Sequence, residues 1–321
     1  MRKLSGLVLF VLMVLGAVPV FAQQDAQFTQ YMFNTLFYNP AFAGVEGVTS
    51  LTAVHRTQWA GYPDGGNPVS QVVSFNTPIF RLSSGFGLHF MNDRLGPQNN
   101  MQFQASYAYH LHLKELNTKV SFGVRGGAYA QAINSNNLIA NEQGDLLLLF
   151  GRDYQMRPDM GAGVYFQSQK VHGGIGINHL LKSEFNFGSD VTRQPLENHM
   201  NVMLGYDYVY GRKITLSPSL LVQTDFNQYN FTLTAMGNLD EKYWAGISFR
   251  QGESINILTG YSVLKDKSLR FGYSFDFVVK GTDAKSSGAL GTSHEVSLTY
   301  TLPQAAPTGK KIIRNPRFRH D

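Results

Sequence analysis

Hydrophobic and polar positions alternate with a period of two over most of the chain after Gly47. Near the C-terminus, Leu269, Phe271, Tyr273, Phe275 and Phe277 share one face, while Arg270, Gly272, Ser274 and Asp276 share the other. Val296, Leu298, Tyr300 and Leu302 likewise alternate with Glu295, Ser297, Thr299 and Thr301. Successive side chains of a strand point to opposite faces, so such runs meet an apolar medium on one side and a polar one on the other. The pattern recurs at 101–110, 120–125, 201–208 and 214–223. Weaker versions lie at 48–59, 69–77, 84–92, 160–167, 172–179, 230–236, 243–250 and 255–263. The total predicts about fourteen strands, an even number that suits a single-chain outer-membrane barrel. Pro218 falls on the outward register and should weaken one ladder position.

The connections agree with a barrel. Lys114–Asn117, Ser168–Lys170, Gly211–Arg212 and Lys265–Lys267 are short turns, whereas Ala132–Asp159, Leu181–Glu197 and Val279–Gly291 are long. Counted from a periplasmic N-terminus, all three long loops fall on the extracellular side, although Asp225–Gln228 and Gln251–Glu253 are short loops on that side. The apolar run Leu146 to Phe150 reads as local folding over the barrel mouth, with a docking patch as the alternative. Charged residues make up 15% of the chain against about 25% in a typical soluble domain. With 16 Tyr and 23 Phe, this composition suits a wall that faces lipid and carries aromatic girdles. The expected fold is therefore all-β, a transmembrane antiparallel β-barrel over 46–302, located in the outer membrane.

The two ends read differently. Arg2 and Lys3, an apolar run from Leu4 to Phe21 and a small residue at Ala22 describe a secretory signal peptide over 1–22, with Gln23 as the mature start. The absence of cysteine excludes a disulfide framework, a thiolate metal site and a lipid-modified N-terminal cysteine. The net charge of +5 is carried by the ends. The leader has Arg2 and Lys3, and 303–321 has Lys310, Lys311, Arg314, Arg317 and Arg319 against Asp321. The barrel itself is close to neutral, so no nucleic-acid partner is indicated. The tail reads as a periplasmic end, and those five cations are candidate docking residues for an acidic periplasmic partner or anionic cell-wall material.

Residues 23–45 are the remaining piece of the mature chain that does not alternate. Phe28, Tyr31 and Met32 sit at helical spacing, which predicts a short aromatic helix over Phe28–Phe37 that Asn39-Pro40 stops. Such a density of aromatic side chains needs an apolar surface, so the segment is expected to close the lower lumen as a plug. QFTQYMFN, NPAFAG, HRTQW and SFNTPI follow in order between Gln27 and Ile79, and FGYSFDF and SHEVSLTY close the pattern at Phe271–Phe277 and Ser293–Tyr300. In these stretches the chain resembles the PorP/SprF family of the type IX secretion system, outer-membrane proteins of Bacteroidetes. The resemblance covers Gln23 to Leu302 and does not reach the basic tail. It implies one of two roles in secretion or gliding. One is anchoring periplasmic machinery to the outer membrane; the other is assisting export and surface retention of a large partner adhesin. A passive diffusion channel is the alternative that a polar lumen permits.

Catalytic signatures are missing: the chain has no Walker A loop, HExxH or GxSxG. Ser293 and His294 are neighbours on a strand and so face apart, which argues against a nucleophile–base pair. No enzyme activity and no cofactor are expected. Gly161, Gly163, Gly173, Gly174 and Gly176 lie inside strand-like runs, where small residues relieve crowding between the wall and the contents of the lumen. Arg125, Asp207, Arg270, Asp276 and Glu295 are expected to face the lumen, either paired within the wall or holding a plug or a passing polypeptide.

Overall fold

The computed structural model describes residues 25–60, 66–134, 152–187, 193–264, 266–278 and 291–302. The first half of the wall is β1 (Ser50–Ala60), β2 (Val69–Ile79), β3 (Ser84–Leu95), β4 (Gln98–Leu113), β5 (Thr118–Asn134), β6 (Arg152–Gln167) and β7 (Val171–Asn178). A small hairpin, β8 (Glu184–Asn186) and β9 (Arg193–Pro195), forms a separate two-stranded sheet whose Phe185 packs against Tyr129. The second half is β10 (His199–Tyr206), β11 (Tyr208–Tyr210), β12 (Ile214–Thr224), β13 (Tyr229–Leu239), β14 (Tyr243–Arg250), β15 (Ser254–Ser262), β16 (Leu269–Val278) and β17 (Thr292–Thr301). β10 and β11 both pair with β12 and act as one interrupted strand, so the wall has fourteen strands. Every neighbour is antiparallel, and β1 pairs with β17 from Ser50↔Thr301 to Thr57↔His294, which closes the barrel.

The alternation read from the sequence decides which face meets which medium. On β17, Ser293, Glu295, Ser297 and Thr299 are buried, whereas Val296, Leu298 and Tyr300 are exposed. Leu51, Phe90, Phe103, Phe122, Ile247 and Phe271 are exposed on other strands, giving the apolar outer band that lipid covers. Among the described residues no helix is long and apolar enough to cross a membrane. Pro218 has its effect where expected. The ladder to β12 breaks between Gly205↔Ser219 and Tyr208↔Leu216, opposite the residue that has no N–H to give.

Three local expectations need correction. β5 runs to Asn134 and β6 begins at Arg152, so the long connection expected at Ala132–Asp159 is shorter at both ends. Continuous pairing from Lys119↔Gln167 to Asn134↔Arg152 outweighs the weaker alternation there. The Leu181–Glu197 loop contains the β8–β9 hairpin. The single helix expected over Phe28–Phe37 is instead a 3-10 turn at Tyr31–Phe33 and one α-helical turn at Thr35–Tyr38, followed by a 3-10 turn at Pro40–Phe42. Asn34, at φ −130°, breaks the first from the second. Asn39 ends the second and caps the third by accepting from the Ala41 N–H, with Pro40 at the first position of the turn. The run 146–150 and the tail after Leu302 lie outside the described residues.

Candidate functional site

Fourteen strands enclose more space than their own inward side chains fill, since eight already leave an interior just wide enough for side chains. Residues 25–49 occupy this space. Phe28, Tyr31, Leu36, Phe37, Tyr38 and Phe42 are all buried, and Met32 packs against the same cluster. Phe37 meets Phe28 and Tyr38 edge-on at 5.5 and 5.1 Å. Wall residues Val54, Val72, Met91, Tyr129 and Leu221 join Phe28, Tyr31, Phe37 and Tyr38 in one apolar cluster, and Leu36 and Phe42 pack in a second with Ala108 and Tyr165. The plug is not confined to the lower lumen. Its start lies among the loop-side ends of β14, β16 and β17, and its end at Gly44 lies beside Asn76 near the turn-side end of β2.

A charged clamp grips the start. The Glu295 carboxylate accepts from the backbone N–H groups of Thr29 and Gln30 at 2.7 and 2.8 Å. The Thr29 hydroxyl donates to Asp276 at 2.8 Å and accepts from Arg56 and Arg250 at 2.8 and 3.1 Å. Arg56 pairs with Asp276 at 2.7 Å and Glu295 at 3.2 Å, and its side chain has no solvent exposure. Glu253, at the turn between β14 and β15, is 3.3 Å from Arg250 and 3.7 Å from Arg56. Charges this deep persist because each is paired and hydrogen-bonded.

The middle and end of the plug are held by shape and by backbone bonds. Arg125 donates to the carbonyls of Leu36 and Phe37 at 3.0 and 2.9 Å, satisfying groups that a helical turn leaves open. Asn39 Nδ2 donates to Val164 O at 3.0 Å, and the Gly44 N–H donates to Asn76 at 2.6 Å. A Cβ at Gly85, Gly123, Gly163 or Gly176 would overlap plug atoms of Ala43, Ala41, Asn39 and Tyr38 respectively. These glycines form a flat bed for the chain. Gly44 adds a left-handed φ of +70° where the plug turns against Gly85.

The sequence-derived residues fall as follows. Phe28, Tyr31, Met32, Arg125, Asp276 and Glu295 belong to the plug or touch it, and Arg270 lies over the Phe33 ring at 5.7 Å. Asp207 faces inward but binds Ser217 on the wall at 2.6 Å, with His172 at 3.6 Å. Lys310, Lys311, Arg314, Arg317 and Arg319 lie outside the described residues. Thr29, Arg56, Arg250 and Glu253 were not anticipated. Arg56 could have been found, because it shares the inward register of β1 with Thr52 and Val54.

The sequence pattern of the type IX secretion system membrane protein PorP/SprF matches residues 20–300. The chain belongs to the PorP/SprF family. This makes it a type IX secretion membrane component in the outer membrane. Among solved structures, the CymD monoaromatic hydrocarbon channel is similar at TM-score 0.50 and 12% identity, over 84% of this chain and 93% of that one. A Pseudomonas aeruginosa FadL homologue gives 0.47 at 12% identity, over 83% and 93% of the two chains. Acinetobacter baumannii Omp33 gives 0.44 at 7% identity, over 79% and 98%. CymD bears on this PorP/SprF protein only through the shared fold of an outer-membrane barrel. No curated protein matches the chain.

Proposed function

We propose that this PorP/SprF protein is a plugged, non-enzymatic barrel. In this reading it anchors periplasmic secretion machinery, or assists export and surface retention of a partner adhesin, rather than passing solutes. The observation that supports the reading is the plug, bonded to the wall along its length from Thr29 at the loop side to Gly44 at the turn side. The non-enzymatic part is supported by the clamp: its acids and bases are spent on the plug and on each other. Docking would then use the turn-side rim and the basic tail, with Lys310, Lys311, Arg314, Arg317 and Arg319 meeting an acidic partner. Exposed contacts of that kind are screened over about 8 Å at physiological salt, so attachment should weaken as salt rises.

Planar-bilayer conductance combined with affinity purification of intact complexes tests the proposal. The expected result is no stable single-channel current from the purified barrel, copurification with secretion components, and loss of that association in a chain ending at Leu302. A steady ohmic current from the intact protein would favour the passive diffusion channel. Undiminished copurification of the shortened chain would remove the tail from the docking surface.

A further inference from the structure

The clamp at Thr29 is not the plug's only charged attachment to the wall. Four residues upstream, Asp25 meets two histidines from the loop-side rim, His179 just beyond β7 and His199 at the start of β10. We propose that Asp25, His179 and His199 bind a Zn²⁺ ion that staples the start of the plug to the barrel wall.

The donor set carries the proposal. One atom from each residue can be chosen so that all three lie within 4.8 Å of one another. His179 Nε2 is 2.9 Å from Asp25 Oδ1, and His199 Nδ1 is 3.9 Å from Asp25 Oδ2 and 3.0 Å from the Glu197 carbonyl. Two imidazoles and a carboxylate, with a fourth position left for water, are a common zinc environment. Calcium and magnesium call for more oxygen ligands than this cluster offers, whereas imidazole nitrogen favours a first-row ion.

The surroundings match a metal site in two further ways. The second ring nitrogen of His179, Nδ1, is 2.9 Å from Asp159 Oδ2, the carboxylate–histidine arrangement that orients a metal-binding imidazole. His199 Nε2 is buried with no hydrogen-bond partner among the described residues, which leaves one imidazole nitrogen open.

The inference takes the plugged lumen from the reading above, and its test reads metal content, which conductance does not touch. Tag-free mature protein, folded in detergent, is loaded with ZnCl₂, passed through gel filtration and analysed for metal. The expected result is one zinc per barrel and a thermal midpoint that falls when a chelator removes it. Asp25→Asn and His199→Gln should retain no zinc and lose the chelator-sensitive part of that midpoint. Equal zinc content in the wild type and both variants would overturn the site. Cobalt supplies a readout that needs no variant: the visible band of a four-coordinate ion, abolished by equimolar zinc. Absence of that band overturns the proposal too. A barrel that binds zinc yet conducts would end the plugged reading and leave the site standing, and a closed barrel without zinc would do the reverse.

Discussion

Arg56 pairs with Asp276 and Glu295 and donates to Thr29 without access to water. Removing one partner of such a pair strands a buried charge, which costs about 3–5 kcal/mol, far more than a surface pair is worth. Glu295→Gln keeps the shape of the clamp but leaves Arg56 with one carboxylate fewer in its interior. We expect it to lower the unfolding free energy in detergent by about 3 kcal/mol or more. Glu197→Gln, which removes a surface partner of Lys182, should change it by less than about 1 kcal/mol. Equal losses in a denaturant titration would show that the clamp does not hold the plug. The glycine bed makes a second contrast. A side chain at Gly123 would meet the backbone of Ala41, whereas one at Gly126, three residues along the same strand, meets nothing within 4 Å. Gly123→Val should therefore unseat the plug and lower the thermal midpoint by several degrees, as a loss of about 1–3 kcal/mol to overpacking would. Gly126→Val should leave the midpoint unchanged.

The elements divide into those whose sequence carries their environment and those whose environment lies elsewhere in the chain. The wall strands were legible because lipid on one side and a polar lumen on the other impose a period of two on Leu269–Val278 and Thr292–Thr301. The plug was legible as an apolar, non-barrel piece but not in its path. The spacing of Phe28, Tyr31 and Met32 suggested one helix, but the bonds that set the backbone there come from Glu295, Asp276 and Arg125, far away in sequence. The same reason hid the Asp25–His179–His199 cluster, since His179 and Asp25 are 154 positions apart and no local motif links them. Deleting Gln27 to Asn39 tests the plug as a unit. It removes both the apolar filling and the partners of the clamp, so conductance should rise and the thermal midpoint should fall. A variant unchanged in both respects would mean that the segment contributes nothing to closing the lumen.

For the whole molecule, the positions of the turns fix an orientation that can be tested. The turn near Asp266 lies at one end of the wall, and the Asp225–Gln228 loop between β12 and β13 lies at the other. With the turns in the periplasm, a cysteine at Asn227 should react with an impermeant label added to intact cells, and one at Asp266 should not. The reverse pattern would invert the barrel. The seam adds a constraint of another kind. Arg56 and Glu295 face each other in register across β1 and β17, the strands that close the wall, and the same two side chains grip Thr29. The last strand made is thus fastened over the first residues of the plug. Contacts so distant in sequence form slowly, because the loop between them must be ordered first. The side chains that meet across the seam also hold Thr29, so closing the cylinder and seating the plug draw on the same contacts.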